Sequence, residues 1–256
     1  MTVKVLVCIK RVPAVAGRIT LTDDARAIDV KYLGYAIGPH EECAVEEAVR
    51  LVEANGGESV VFTLGTAGST EQIRDAMAIG INRGIQVVTD GEEWDPQATA
   101  SAIVDAIRAD EAESGPFDLV LMGNEAGDTG DYQVGVRVGY ALGRPVVTGI
   151  KSLTVSGGTA RCEQESAGAR DVYEVALPAV VGVLEGLNLP RYPSVPGRIR
   201  AKSKPIAASE PARPAAQMEM VKLIVPPQTS SQAVVLGSGP DAAPAVVELL
   251  ASLGVL

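Results

Sequence analysis

The sequence predicts an α/β fold with a doubly wound, mostly parallel sheet, an antiparallel extension and a C-terminal arm. Three observations predict it. Apolar runs at 3–9, 58–64, 84–89 and 118–122 are separated by helix-length stretches, the alternation of βαβ units. Of the 256 residues 46% are hydrophobic but only 4% aromatic, so small and β-branched side chains must fill a core between helices and a sheet covered on both faces. After residue 150 the pattern changes to alternating strands punctuated by glycine.

Taken in order, VKVLVCI (3–9) reads as a buried strand. A helix follows at 44–55, with Val45, Ala48, Val49 and Val52 on one face and Gly56-Gly57 to stop it. After the strand at 58–64, Ser69 and Gln72 have the spacing of a capping box, opening a helix that carries Ile73, Ala76 and Met77 and closes at Gly80. A third helix fits Asp95 to about Ala112, with Ile103, Ala106 and Ile107 inward, and a fourth fits 131–142, stopped by Gly143 and Pro145. KSLTVS, TARCEQES and ARDVYEVAL form the antiparallel extension, with a hairpin turn at Gly157-Gly158 and another turn near Gly168, before a strand at 179–185.

The division that follows is an α/β domain over 1–204 and an arm over 205–256. From Lys204 to Pro227 the chain is rich in Pro, Ala, Ser and Glu without strong periodicity, and DAAPAVVELLASLGVL supplies one short helix at the end. Both a linker with a loosely docked tail and an extended arm that folds on another chain satisfy this pattern.

Composition removes several classes of function. A net charge of −10, with no sustained Lys/Arg run outside 191–204, argues against a nucleic-acid partner. Cys8, Cys43 and Cys162 are widely spaced and His40 is the single histidine, so neither a metal site nor a disulfide framework is expected. The N-terminus enters a strand without the apolar stretch of a signal peptide, which points to the cytoplasm of a bacterium. No apolar run reaches the roughly 20 residues that span a bilayer, so contact with a membrane would go through a partner.

Four segments could carry chemistry. GNEAGDTGDYQVG (123–135) follows a buried strand and opens a helix, where glycines allow close backbone approach and free N–H groups favour phosphate. Its acids Glu125, Asp128 and Asp131 repel phosphate, leaving contacts to main-chain donors, and a purely structural capping loop fits equally well. LGTAGS (64–69) joins strand to helix at the same sheet edge and also reads as a capping turn. Gly38-Pro39-His40-Glu41 precedes the first helix, with no nucleophile beside the histidine to suggest a triad. Finally, LNLPRYPSVPGRIRAKSKP (187–205) sets Arg191, Arg198, Arg200, Lys202 and Lys204 among four prolines, a solvated basic loop or a docking loop. Neither the Walker lysine nor G-x-G-x-x-G is present.

VKVLVCIKRVP, AVEEAVRL, STEQIRDAMAIG, GNEAGDTGDYQVG and LPAVVGVLEGLNLPRYPSVPGRIRAKSKP, in this order over about four-fifths of the chain, resemble the electron-transfer flavoprotein β-subunit family. The resemblance implies a Rossmann-like, adenine-nucleotide-binding subunit that pairs with an α subunit and carries electrons without transforming a substrate. The α subunit would hold most of the redox FAD, and this chain AMP or, in electron-bifurcating relatives, a second FAD.

Carried over by position, the nucleotide would meet Cys8, Gly38, Pro39, His40, Glu41 and Leu64, and the loop Gly123, Asn124, Glu125, Ala126, Gly127, Asp128, Thr129, Gly130, Asp131, Tyr132, Gln133 and Val134. The docking loop would offer Tyr192, Pro193, Ser194, Val195, Pro196 and Arg198 to flavin-containing dehydrogenases such as acyl-CoA dehydrogenases, with a quinone oxidoreductase as acceptor. Val195 stands where many relatives place leucine, so its anchor would bury about one methylene less, about 0.8 kcal/mol. The chain also departs from the family at Gly38, where Asn is common, at Val134, where some members have Thr, and at Arg200 and Ser203, where some carry lysines. An adenylating enzyme or nucleotide-sensing stress-type protein is the reading from another class; the S-G-G-x-D-S of the former is replaced here by KRVPAV.

Overall fold

The structure is a computed structural model that describes residues 2–15, 17, 19–227 and 234–255; Met1 and Leu256, the ends of the segments read above, lie outside the described residues. Strand β1 (Val3–Ile9) is followed by a small antiparallel pair, β2 (Val12–Pro13) and β3 (Tyr35–Ala36). Helix α1 (Pro39–Asn55), β4 (Gly57–Gly65), α2 (Thr70–Ile79), β5 (Arg83–Val88), α3 (Pro96–Ser114), β6 (Leu119–Gly123) and α4 (Val134–Leu142) continue the βα alternation. Then come β7 (Val146–Ser156), β8 (Thr159–Ser166), β9 (Ala169–Ala176), β10 (Ala179–Val183), α5 (Val195–Ala201), β11 (Ile206–Ser209) and α6 (Ala243–Ser252).

The main sheet has nine strands in the order β11-β5-β4-β1-β6-β10-β7-β8-β9. Pairing is parallel from β11 to β7 and antiparallel through β8 and β9, which is the doubly wound sheet with an antiparallel extension. Because side chains alternate along a strand, β1 feeds two cores. Val3, Val5, Val7 and Ile9 pack with Ala44, Val45, Ala48 and Val49 of α1 on one face, while Leu6 and Cys8 join Phe62, Ile103, Ile107 and Val138 on the other.

Several local expectations need correction. Helix α1 begins at Pro39, not at Ala44, because proline at the first helical position has no N–H to leave unsatisfied. Pro39, His40 and Glu41 therefore lie in its first turn and not in a loop. Ser69 does not cap α2: it stands in a 3₁₀ turn over Ala67–Ser69, has helical dihedrals and makes no capping hydrogen bond, and Gln72 is buried. Helix α4 starts at Val134 rather than 131, since Asp131, Tyr132 and Gln133 form the turn that enters it. The stretch after Lys204 also contains regular structure, because Ile206–Ser209 adds to the sheet beside β5.

The tail beyond Ser209 crosses the loops before β3 and before α3. Asp95 Oδ2 accepts the N–H groups of Gln217 and Met218 at 2.5 and 3.1 Å, and Leu223 donates its N–H to Ala25 O at 2.8 Å. Helix α6 has no buried residue. No described helix is long and apolar enough to cross a membrane.

Candidate functional site

The C-terminal ends of β1, β4 and β6 lie side by side and, with the loop after β5, open on a cleft of about 380 Å³. This is the edge at which open α/β sheets bind ligands. Phe62, Leu64, Ile103, Met122 and Val134 give the cleft an apolar lining.

Two cations enter directly from the end of β1. Lys10 Nζ lies 3.0 Å from Asp128 Oδ1 and 3.1 Å from Glu93 Oε1, so it ties the loop after β6 to the loop after β5. Burial works against its charge, but Glu93 and Asp128 outweigh burial and hold its pKa above the ordinary lysine value. Arg11 lies over the Tyr35 ring, 3.3 Å from the centroid. It has no carboxylate partner among the described residues, and its buried Nε has no hydrogen-bond acceptor.

Glu41 is the buried acid of the cleft, 5% exposed. Its Oε1 accepts the Lys10 N–H at 2.6 Å and its Oε2 the Gly38 N–H at 2.7 Å, the second bond being one half of a capping box. Burial pushes its carboxyl up to about 7 against the opposing pull of those N–H groups and of Lys10. A Cβ on Gly123 would stand 2.8 Å from Glu41 Cγ, so glycine at 123 is what admits this side chain. Burial, and next the charge of Glu41, also drive the Cys8 thiol far above its ordinary pKa, which makes it an inert wall and not a nucleophile.

A second feature lies on the α1–α2 face. Leu189, Tyr192, Val195 and Ile199 are 83%, 96%, 72% and 65% exposed, an apolar ridge on a backbone fastened at both ends. Residues 188–191 are bonded to α1 through Asn188 and Arg191. On the other side, Arg74 of α2 donates to Ala201 O and Lys204 O, both at 2.6 Å. Gly197 packs so closely on α2 that a Cβ there would lie 2.4 Å from Ala78 O.

The electron transfer flavoprotein domain matches residues 27–214. The chain is 36% identical over 228 residues to the electron transfer flavoprotein subunit beta of Syntrophomonas wolfei, an alignment covering 89% of this chain and 87% of that relative. Identity to the Bacillus subtilis subunit beta is 31%, covering 85% and 86% of the two chains, and to the Homo sapiens subunit beta 34%, covering 81% of each. The chain belongs to the electron transfer flavoprotein β-subunit family.

In this β-subunit family member the cleft brings together Cys8, Glu41, Leu64, Gly123, Asn124, Glu125, Ala126, Asp128, Thr129, Asp131 and Val134. The other residues carried over by position stand back from it. Gly38 is the N-cap of α1, with Pro39 and His40 beginning the helix; Gly127 and Tyr132 are exposed, and Gln133 bonds Arg137. Gly130 closes the loop on itself through paired main-chain bonds with Ala126. Of the main-chain donors offered by this loop, those of Asn124, Ala126, Thr129, Gly130 and Val134 are engaged within the protein.

Sequence reasoning missed Lys10, Arg11 and the 89–94 loop with Trp94 as cleft residues, while LGTAGS, read above as a capping turn at this sheet edge, lines the cleft through Leu64, Gly65, Thr66 and Ser69. The strand-end rule that located 123–135 applies equally to the ends of β1 and β5 and would have found them. Of the docking residues, Ser194 is the N-cap of α5, its hydroxyl accepting the Gly197 N–H at 3.1 Å, and Val195 and Pro196 begin the helix. Tyr192 and Pro193 precede it, and Arg198 pairs with Asp75 at 2.9 Å. The segment read as a loop is therefore partly helical.

Proposed function

We propose that this chain forms a heterodimer with an electron-transfer flavoprotein α subunit and holds AMP in the cleft, while the α subunit retains most of the redox FAD. The observation that carries the reading is the cleft itself: an apolar lining at the sheet edge, a glycine at 123 that lets Glu41 in, and Arg11 without a carboxylate partner among the described residues. An adenine ring suits Phe62, Leu64, Ile103 and Met122, and an anionic group suits Arg11 and the remaining N–H groups of the 123–134 loop. When bound, FAD supplies the chemistry of accepting and passing electrons. This chain's residues bind, orient and dock. On the same reading the tail after Ser209 is the arm that lies on the α subunit, and the ridge at 189–199 meets flavin dehydrogenases such as acyl-CoA dehydrogenases. A quinone oxidoreductase receives the electrons, in fatty-acid oxidation in a bacterial cytoplasm.

Co-expression with an α subunit, followed by quantification of FAD and AMP released on denaturation, tests this. One FAD and one AMP per heterodimer is the expected result. Two FAD would replace AMP by the second flavin of a bifurcating protein, and failure to form a complex would overturn the pairing. ATP turnover by the isolated chain would favour the adenylating class instead.

A further inference from the structure

Glu46 is the least expected acid in the fold: 1% exposed in the middle of α1, it takes no part in the cleft. Its Oε2 accepts both the main-chain N–H of Arg191, at 3.2 Å, and its Nε, at 2.9 Å, while Oε1 accepts Arg191 Nη2 at 3.0 Å. One side chain thus fixes the backbone and the side chain of residue 191 together. Arg191 extends to Glu53, with bonds of 2.7 and 2.9 Å, and Arg50 joins Glu46 at 2.6 Å while donating to Leu189 O at 3.2 Å. Asn188 donates to Cys43 O at 3.0 Å. Cys43, Glu46, Arg50 and Glu53 recur at the spacing of one helical stripe, and that whole stripe is occupied by the strand of chain that leads into the ridge.

We propose that Glu46 is a positioning residue for partner docking: by holding Arg191 it sets the direction in which Tyr192 and Val195 leave the body of the protein. The inference rests on the reading of the ridge as the docking surface. An apolar anchor flanked by Arg198, Arg200 and Lys202 suits a partner whose apolar pocket is rimmed by acids. Anchors contribute most when their pose exists before contact, because ordering them at the interface costs binding energy. Three prolines, Pro190, Pro193 and Pro196, stiffen the segment, so an error in direction at residue 191 is carried to Val195 and not absorbed on the way.

The test uses the flavin-loaded heterodimer as electron acceptor for an acyl-CoA dehydrogenase, with KM and kcat measured separately. Glu46→Gln is expected to raise KM for the heterodimer about fivefold with kcat and FAD content unchanged, and to speed amide exchange across 187–199 but not in β1 or β4. Arg191→Lys, which keeps the charge and loses the fork, is expected to raise KM less. In a Val195→Ala background the Glu46→Gln effect on KM should vanish, since the anchor it aims is gone. A rise in KM with Val195→Ala but none with Glu46→Gln or Arg191→Lys would overturn the positioning role and leave the docking reading standing. Additive effects in the double variant would overturn it too, by showing a general disturbance. An unchanged KM in Val195→Ala would remove the docking reading itself, and the inference with it.

Discussion

Helix α1 buries two glutamates five positions apart, and they are held in opposite ways. Glu41, at the cleft, has only main-chain N–H groups against its oxygens, and burial prevails: its carboxyl is pushed up to about 7. At Glu46, under the ridge, burial pushes the same way but the hydrogen bonds of Arg191 and Arg50 outweigh it, and the carboxyl lies below its ordinary value. The lesson is that burial alone does not determine the charge of an acid; it is weighed against the charge and number of the donors that reach its oxygens. One end of the helix can gain or lose a proton near neutrality beside a ligand cleft. The middle of the helix is an ion-paired fastener.

The largest consequence is a stability that declines with pH at the Glu41 end. Native Glu41 keeps a proton that the unfolded chain releases between its ordinary 4.5 and about 7, so its contribution falls across that window, by about 3 kcal/mol. Glu41→Gln should abolish this component. Urea midpoints for the two proteins at pH 5 and pH 8 check it, and parallel pH profiles would show that Glu41 titrates normally.

At Glu46 the sign reverses. Its stabilisation is present above the ordinary carboxylate value and is lost as pH falls through the lowered one. Glu46→Gln should cost about 2 kcal/mol at pH 7, because Arg50 and Arg191 can turn to solvent, and the difference from the parent should shrink below pH 4. A gap that stays constant down to pH 3 would refute the ion-pair account.

The same contrast explains what could be read from the sequence. Strand β1, with its uninterrupted apolar run, and the hydrophobic face of α1 announce themselves, because burial on a regular element leaves a period. Partnership across the fold leaves none. Nothing in AVEEAVRL says that its first glutamate meets Arg191, 145 residues away, or that Lys10 would bridge Glu93 and Asp128. Strand β11 was invisible for a related reason. Four residues at a sheet edge, three of them small, carry no periodic signal, and just before them Lys204 is held by its Nζ on Met77 O at 3.0 Å and Ile81 O at 2.5 Å. The apolar period places the start of α1 at Ala44, five residues after the Pro39 that opens it, and the capping pattern at Ser69 misleads because Gln72 turns into the interior instead.

Asp95 has main-chain donors like those of Glu41 but is less deeply buried. Its oxygens accept main-chain N–H groups from Ala98 in α3 and from Gln217 and Met218 in the tail, and with solvent nearby those bonds, Ala98 first, lower its pKa rather than burial raising it. It also joins the body to a tail that has few other attachments. Asp95→Asn keeps an oxygen to cap α3 but presents an amide nitrogen that cannot accept from the tail. A loss of about 0.5 kcal/mol is expected, with faster proteolysis within 210–227 and no change in the exchange of α3 amides. Unaltered cleavage of the tail would mean that Leu223 on Ala25 and Arg26 on Glu219 suffice to hold it. The tail would then be a fixed part of the body, and not a segment kept on it by one half-buried carboxylate.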